Sequence, residues 1–133
     1  MHSFAIRKQT TTTEYDAQVT LMDQGVVIVL GGGQTHIGAI VWAEPRKSLR
    51  NQGGMSATSS VINRLGHLDE FPLRKNAEML AIALNQPVVV TGGVHIDGLS
   101  AEGIEAVLND CREFFEEMLA TIIKEKKFDI VQE

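Results

Sequence analysis

VVVTGGVHIDG, residues 88–98, is a β-branched run that stops at a glycine pair and passes through His95 toward a helix start at Ser100. The chain writes nearly the same phrase earlier, where Val26–Leu30 ends in Gly31-Gly32-Gly33-Gln34-Thr35-His36-Ile37-Gly38. Valine, isoleucine and threonine suit the half-buried pleat of a sheet. Glycine at a strand end marks either a bulge or a place where something comes close to the backbone. Two such strand ends, each followed by His-Ile and another glycine, point to one pocket with two glycine walls.

The segments around them extend the sheet. Glu14–Met22 alternates Tyr15, Ala17, Val19 and Leu21 with Glu14, Asp16, Gln18 and Thr20, the period of a strand with one wet face. Asp23-Gln24-Gly25 then supplies turn chemistry, and Val26–Leu30 reads as a hairpin partner buried on both faces. Phe4–Lys8 adds a short first strand, and Ile37–Ala43 a further one, ended by Pro45. After the polar stretch EPRKSLRNQGG, read as a loop, Thr58–Asn63 returns as a strand. These strands are expected to pair as an antiparallel meander.

Two helices follow. Asp69 is the expected N-cap of the first, Pro72 sits in its first turn, and Leu73, Ala77, Leu80, Ala81 and Leu84 keep helical spacing until Pro87. Ser100 caps the second, whose stripe from Ile104 to Ile123 predicts a helix to about Lys126, on the order of 40 Å long. Phe128–Val131 reads as a last edge strand. The order gives an α+β fold in one domain, 1–133: an antiparallel sheet of about five or six strands with two helices on one face. The helix stripe is wide enough either for one broad core face or for a face shared with another subunit.

Bulk composition narrows the function classes. At 133 residues, 44% hydrophobic, the chain can bury roughly two-thirds of its unfolded surface. A net charge of -5 argues against nucleic-acid binding. The single cysteine makes no internal disulfide. No run reaches the roughly 20 apolar residues of a membrane span, and MHSFAIRKQTTTT lacks the apolar core of a signal peptide, so the cytoplasm is the expected compartment.

Few residues offer chemistry. Gly92 and Gly93, feeding the helix start at Ser100, present free backbone N–H groups of the kind that hold phosphate, although the spacing is neither a Walker loop nor G-x-G-x-x-G. Gly32, Gly33, Thr35, His36 and Gly38 form the matching wall, expected to approach a ring system. His67-Leu68-Asp69 and His95-Ile96-Asp97 repeat a His-x-Asp pattern that serves as a general base, half a metal site or a loop hydrogen bond. A ligand-bonding role for His36 and His95 fits better than catalysis, because Asp69 is already assigned to the cap. Arg64 is the better anion ligand among the cations, while Arg46, Lys47 and Arg50 read as a solvated loop. Cys111 lies in the apolar stripe as an inert thiol, and no serine sits in a nucleophile elbow. Trp42 and Phe71 read equally as ligand wall or core.

GGGQTHIGAIV, SSVINRLGHLDE and VVVTGGVHIDGLSAEGIEAVL together resemble the LpdD-like family, the small D subunits encoded beside gallate or phenolic acid decarboxylases. The resemblance implies a fold related to proteasome-assembly chaperones and a tendency to form homo-oligomers. It implies a non-catalytic chaperone that binds prenylated FMN, or FMN, and passes it from a flavin prenyltransferase to a UbiD-type decarboxylase. It also supports His36, Gly38, His67, Asp69, Gly93 and His95 as pocket residues. Two other readings stay open: a protein-binding scaffold of the decarboxylase without a small ligand, and a small enzyme using His95 and Asp97.

Overall fold

Alternation along the first two strands builds one edge of the sheet in the computed structural model, which describes residues 1–66 and 69–132, those of 128–132 by backbone alone. Strand β1 (His2–Gln9) pairs antiparallel with β2 (Glu14–Met22), and β2 with β3 (Gly25–Gly33). Tyr15, Ala17, Val19 and Leu21 turn inward from β2, as their period of two requires. Beyond β3 come β4 (Ala39–Lys47), β5 (Met55–Asn63), helix α1 (Glu70–Leu84), β6 (Val88–His95) and helix α2 (Ala101–Gln132).

The spatial order is β1-β2-β3-β6-β4-β5. The α+β class, the six strands and the two helices stand as expected, but the meander does not. Strand β6 inserts between β3 and β4, parallel to β3 and antiparallel to β4, so the sheet is mixed. The physical reason lies in the apolar runs. Val26–Leu30 and Val88–Val90 are the segments least able to tolerate water on an edge, and pairing them places both at the centre.

Several boundaries differ from expectation, and three of the differences have a plain physical reason. Strand β4 continues through Pro45 to Lys47, because its pairing with β6 stops at Ala43 and no ladder on that side needs the missing N–H. The polar segment that follows shrinks to a hairpin loop in which Ser48 Oγ accepts the N–H groups of Arg50 and Asn51. The expected strand over 128–131 is instead the end of α2, since no glycine or proline after Gly103 stops helix propagation.

Both helices cover the same face. Leu73, Ala77, Leu80 and Ala81 of α1 and Val107, Cys111, Phe114, Phe115, Met118 and Ile122 of α2 join the inward strand residues in one core cluster. Phe114, Phe115, Met118 and Ile122 are fully buried, and each contributes about 1.5–3 kcal/mol by leaving water. Buried Tyr15 keeps its hydroxyl satisfied: Thr12 Oγ1 donates to Asp110 Oδ2 at 2.7 Å and accepts from Tyr15 at 3.0 Å. Among the described residues, no helix is long and apolar enough to cross a membrane. The opposite face of the sheet is uncovered, with Val29, Ile40, Trp42 and Ile62 exposed on it.

Candidate functional site

The parallel pairing of β3 with β6 brings the two repeated phrases side by side. Gly31 lies opposite Gly93 and Gly33 opposite His95, at the carboxyl ends of the two strands. Such ends are where open sheets containing parallel strands usually meet ligands. The connection from β3 to β4 folds over this end and is stitched to β6: Gln34 N–H donates to the His95 carbonyl at 3.1 Å, and Gly38 N–H to the Gly92 carbonyl at 2.8 Å. Gly92 makes the second bond with φ at 112°, where a side chain would run into the Leu30 carbonyl of β3. Arg64, just after β5, donates its N–H to the Gly38 carbonyl at 2.8 Å. Three strand ends therefore converge on Gly38.

Asp69 occupies the N-cap position of α1, but its side chain makes no cap hydrogen bond. The carboxylate points into the strand ends instead. Its Oδ1 accepts the Val94 N–H at 3.0 Å, and its Oδ2 accepts from His36 Nε2 at 3.0 Å. The cap assignment that set Asp69 aside in the sequence is thus corrected. Two glycines owe their identity to this carboxylate. A Cβ on Gly93 would stand 2.6 Å from Asp69 Oδ1 and 2.8 Å from His36 Nε2, and one on Gly38 would land on Asp69 Oδ2. The space these glycines leave is filled by the protein's own ion pair, so the area directly above them is closed to a phosphate.

The protonation state of His36 follows from its partners. Its Nδ1 faces the Gln34 carbonyl at 3.0 Å and its Nε2 faces the carboxylate, so both ring nitrogens meet acceptors. Only the imidazolium donates from both. Burial works against that charge, but the hydrogen bonds to Asp69 and Gln34 outweigh it and raise the His36 pKa above its ordinary value, with nearby Arg64 pulling slightly the other way. The rings of His36 and His95 meet edge to face at 5.9 Å. His95 is half-exposed and reaches Asp97 Oδ1 at 2.9 Å, so the second His-x-Asp pattern is a local loop bond.

An open groove of ≈ 240 Å³ adjoins this cluster, lined by Ile37, Gly38, Ala39, Ile40, Ile62, Asn63 and Arg64. Ile37, Ile40 and Ile62 are exposed around it and give it an apolar wall. Periodicity alone could not reveal the groove, because its apolar residues sit at outward strand positions that normally carry polar side chains. Trp42 and Phe71 are both exposed rather than core, and Trp42 follows Ile40 by two residues along β4.

The remaining expected site residues fall in different places. Thr35 lies against Gly31, and Gly32 against the Tyr15 ring and Val94. Ser100 Oγ accepts the Gly103 N–H at 3.1 Å, so its hydroxyl is engaged in capping its own helix. His67 lies outside the described residues. Cys111 is buried, and desolvation pushes its thiol up to about 12. Among the described residues no three His, Cys, Asp or Glu side chains gather as a metal site would need.

These donors suit part of a flavin nucleotide. Arg64 supplies positive charge at one end of the groove, as a phosphate requires, while the charge of His36 is met by Asp69; the isoleucines supply an apolar wall for a ring edge. The volume falls short of the roughly 300–1,000 Å³ that ligand pockets usually enclose.

A family model described as the prenylated flavin chaperone LpdD-like domain matches residues 9–123. No curated protein matches the chain. Among solved structures, a chain from the crystal structure of a novel chaperone complex for yeast 20S proteasome assembly superimposes with a TM-score of 0.51 at 17% identity, covering 90% of this chain and 99% of that one. At that identity the likeness is one of fold.

Proposed function

The chain belongs to the prenylated flavin chaperone LpdD-like family, and from that premise we propose that it is a non-catalytic carrier that holds prenylated FMN and delivers it to a UbiD-type gallate or phenolic acid decarboxylase. The observation that carries this reading is the groove beside Gly38, where exposed isoleucines and Arg64 meet within a few residues of the His36 imidazolium. The ring edge of the cofactor lies along Ile37, Ile40 and Ile62, and its phosphate meets Arg64. The glycine wall and Ser100 act indirectly, by building the strand ends and starting α2.

A carrier rather than an enzyme is supported by what the site withholds. His36 has no lone pair to act as a base while both its nitrogens donate. Cys111 is buried and desolvation pushes its thiol up to about 12, so it offers no thiolate. The chemistry of the cofactor then belongs to the enzyme that receives it.

The test is transfer. The protein is co-expressed anaerobically with a flavin prenyltransferase, purified, and added to a cofactor-free UbiD-type decarboxylase. Restored decarboxylation supports the reading. Failure of the purified chain to carry flavin, or failure of a loaded chain to activate the enzyme, overturns it.

A further inference from the structure

The strand that ends the sheet beside the groove is unguarded. Strand β5 reads MSATSSVIN, with no charge, no proline and no glycine, and its register with β4 runs unbroken from Met55 to Asn63. Among the described residues no strand pairs with its other side. Sheets normally blunt such an edge with charges, prolines or bulges. Strand β1, at the opposite edge, does so. It carries Arg7 and Lys8, and its His2 and Lys8 side chains reach Glu125 and Glu117 of α2 at 2.7 and 2.9 Å.

Alternation places the free hydrogen-bonding groups of β5. Arg64 N–H donates to the Gly38 carbonyl, so in this antiparallel register Ile62, Ser60 and Thr58 also turn their backbone groups toward β4. Ala57, Ser59, Val61 and Asn63 turn theirs outward. Pro45, opposite Ala57, obeys the same alternation, because its missing N–H falls on the side of β4 away from β5. A row of outward N–H and C=O groups is satisfied by another extended backbone, which fixes the chemistry of the occupant. Side chains narrow it further. On the helix side, Ser59 Oγ donates to Glu78 at 2.6 Å and accepts from Arg74 at 2.9 Å, and Asn63 Nδ2 donates to Glu70 at 3.2 Å. Two carboxylates therefore stand there against one guanidinium. On the other side Ile62 is 69% exposed. Antiparallel pairing of two copies about Ser59 or Val61 would set Glu78 of one against Glu78 or Glu70 of the other, and each copy has a net charge of -5. We propose that β5 is a docking edge for an extended segment of a partner polypeptide, one that sets cationic side chains beside Glu70 and Glu78 and apolar ones beside Ile62. Because Asn63 and Arg64 end β5 at the groove, the docked strand runs alongside it. The pairing does not depend on what the groove holds.

Amide hydrogen exchange read by NMR tests this, with a peptide of the length of β5 that alternates lysine and valine as the probe. In the free chain the amides of Thr58, Ser60 and Ile62 are expected to be protected, and those of Ala57, Ser59 and Val61 to exchange freely. The peptide is expected to slow the second set by more than about 10-fold and to leave the first unchanged. The same peptide N-methylated throughout has no N–H to give and is expected to have no effect. A peptide alternating glutamate and valine is expected to bind about 5-fold more weakly, through like-charge opposition to Glu70 and Glu78. Three results overturn the inference: outward amides already slow in the free chain, which puts a second copy on the edge; no slowing by the lysine peptide; or equal slowing by the methylated or glutamate peptide. Flavin retention by the chain bears on none of these outcomes, so the carrier reading stands or falls separately.

Discussion

Replacing Asp69 by asparagine keeps the shape of the site and removes its charge. The amide oxygen of the new side chain can still accept the Val94 N–H, and its NH₂ group can donate to a neutral His36 Nε2. What is lost is the difference between a charge-assisted hydrogen bond, about 1.5–3 kcal/mol, and a neutral one, about 0.5–1.5 kcal/mol. The side chains of His36 and Asp69 are only 14% and 7% exposed, so solvent screening takes little from that difference. Asp69→Asn should therefore cost about 1–1.5 kcal/mol at acidic pH. The folded pKa of His36 is raised, so its contribution is complete below the unfolded value of about 6.5 and is lost as pH rises through the folded pKa. Urea unfolding of both proteins at about pH 5.5 and about pH 9 should show the gap at the lower pH and its disappearance at the higher. An equal gap at both pH values, or a His36 ring resonance that titrates at or below the ordinary imidazole value, would refute the imidazolium argument.

Gly93→Ala should destabilise the fold by roughly 1–3 kcal/mol in urea and lower the His36 pKa, because the added methyl displaces the short Asp69 side chain. Ser100→Ala should cost about 1 kcal/mol through the lost α2 cap and leave flavin retention unchanged; loss of flavin at unchanged folding would place the phosphate at that helix start. Cys111 should resist alkylation by iodoacetamide in the native protein and react only after unfolding, read by mass spectrometry. Phe114→Ala should lower stability by about 3–5 kcal/mol, the range for emptying a fully buried aromatic position.

Local patterns were readable wherever one physical preference ruled. Glu14–Met22 alternates without exception and is strand β2 to the residue. The Asn85-Gln86-Pro87 stop of α1 and the Ser100 start of α2 also follow from capping chemistry, with Asn85 adopting the left-handed cap. Sheet order was not readable, because nothing in β3 or β4 says that a strand more than forty residues later will pass between them. The end of α2 misled for the opposite reason: Phe128, Ile130 and Val131 have strand propensity, but an uninterrupted helix adds hydrogen bonds residue by residue and overrides it. At the site, the parallel register sets the two repeated Gly-Gly phrases side by side. Their role there was hidden. Asp69 fits a cap by position, and only the fold shows its carboxylate turned onto Gly38, Gly93 and His36.

The central claim is that the groove beside Gly38 holds the cofactor, and native mass spectrometry tests it directly. The wild-type chain and its Arg64→Glu and Ile62→Glu variants are purified anaerobically after co-expression with a flavin prenyltransferase. The account predicts that the wild type carries a mass increment equal to prenylated FMN and that both variants, still folded by circular dichroism, lose it. A wild type that carries no flavin, or variants that carry as much as the wild type, would contradict the account.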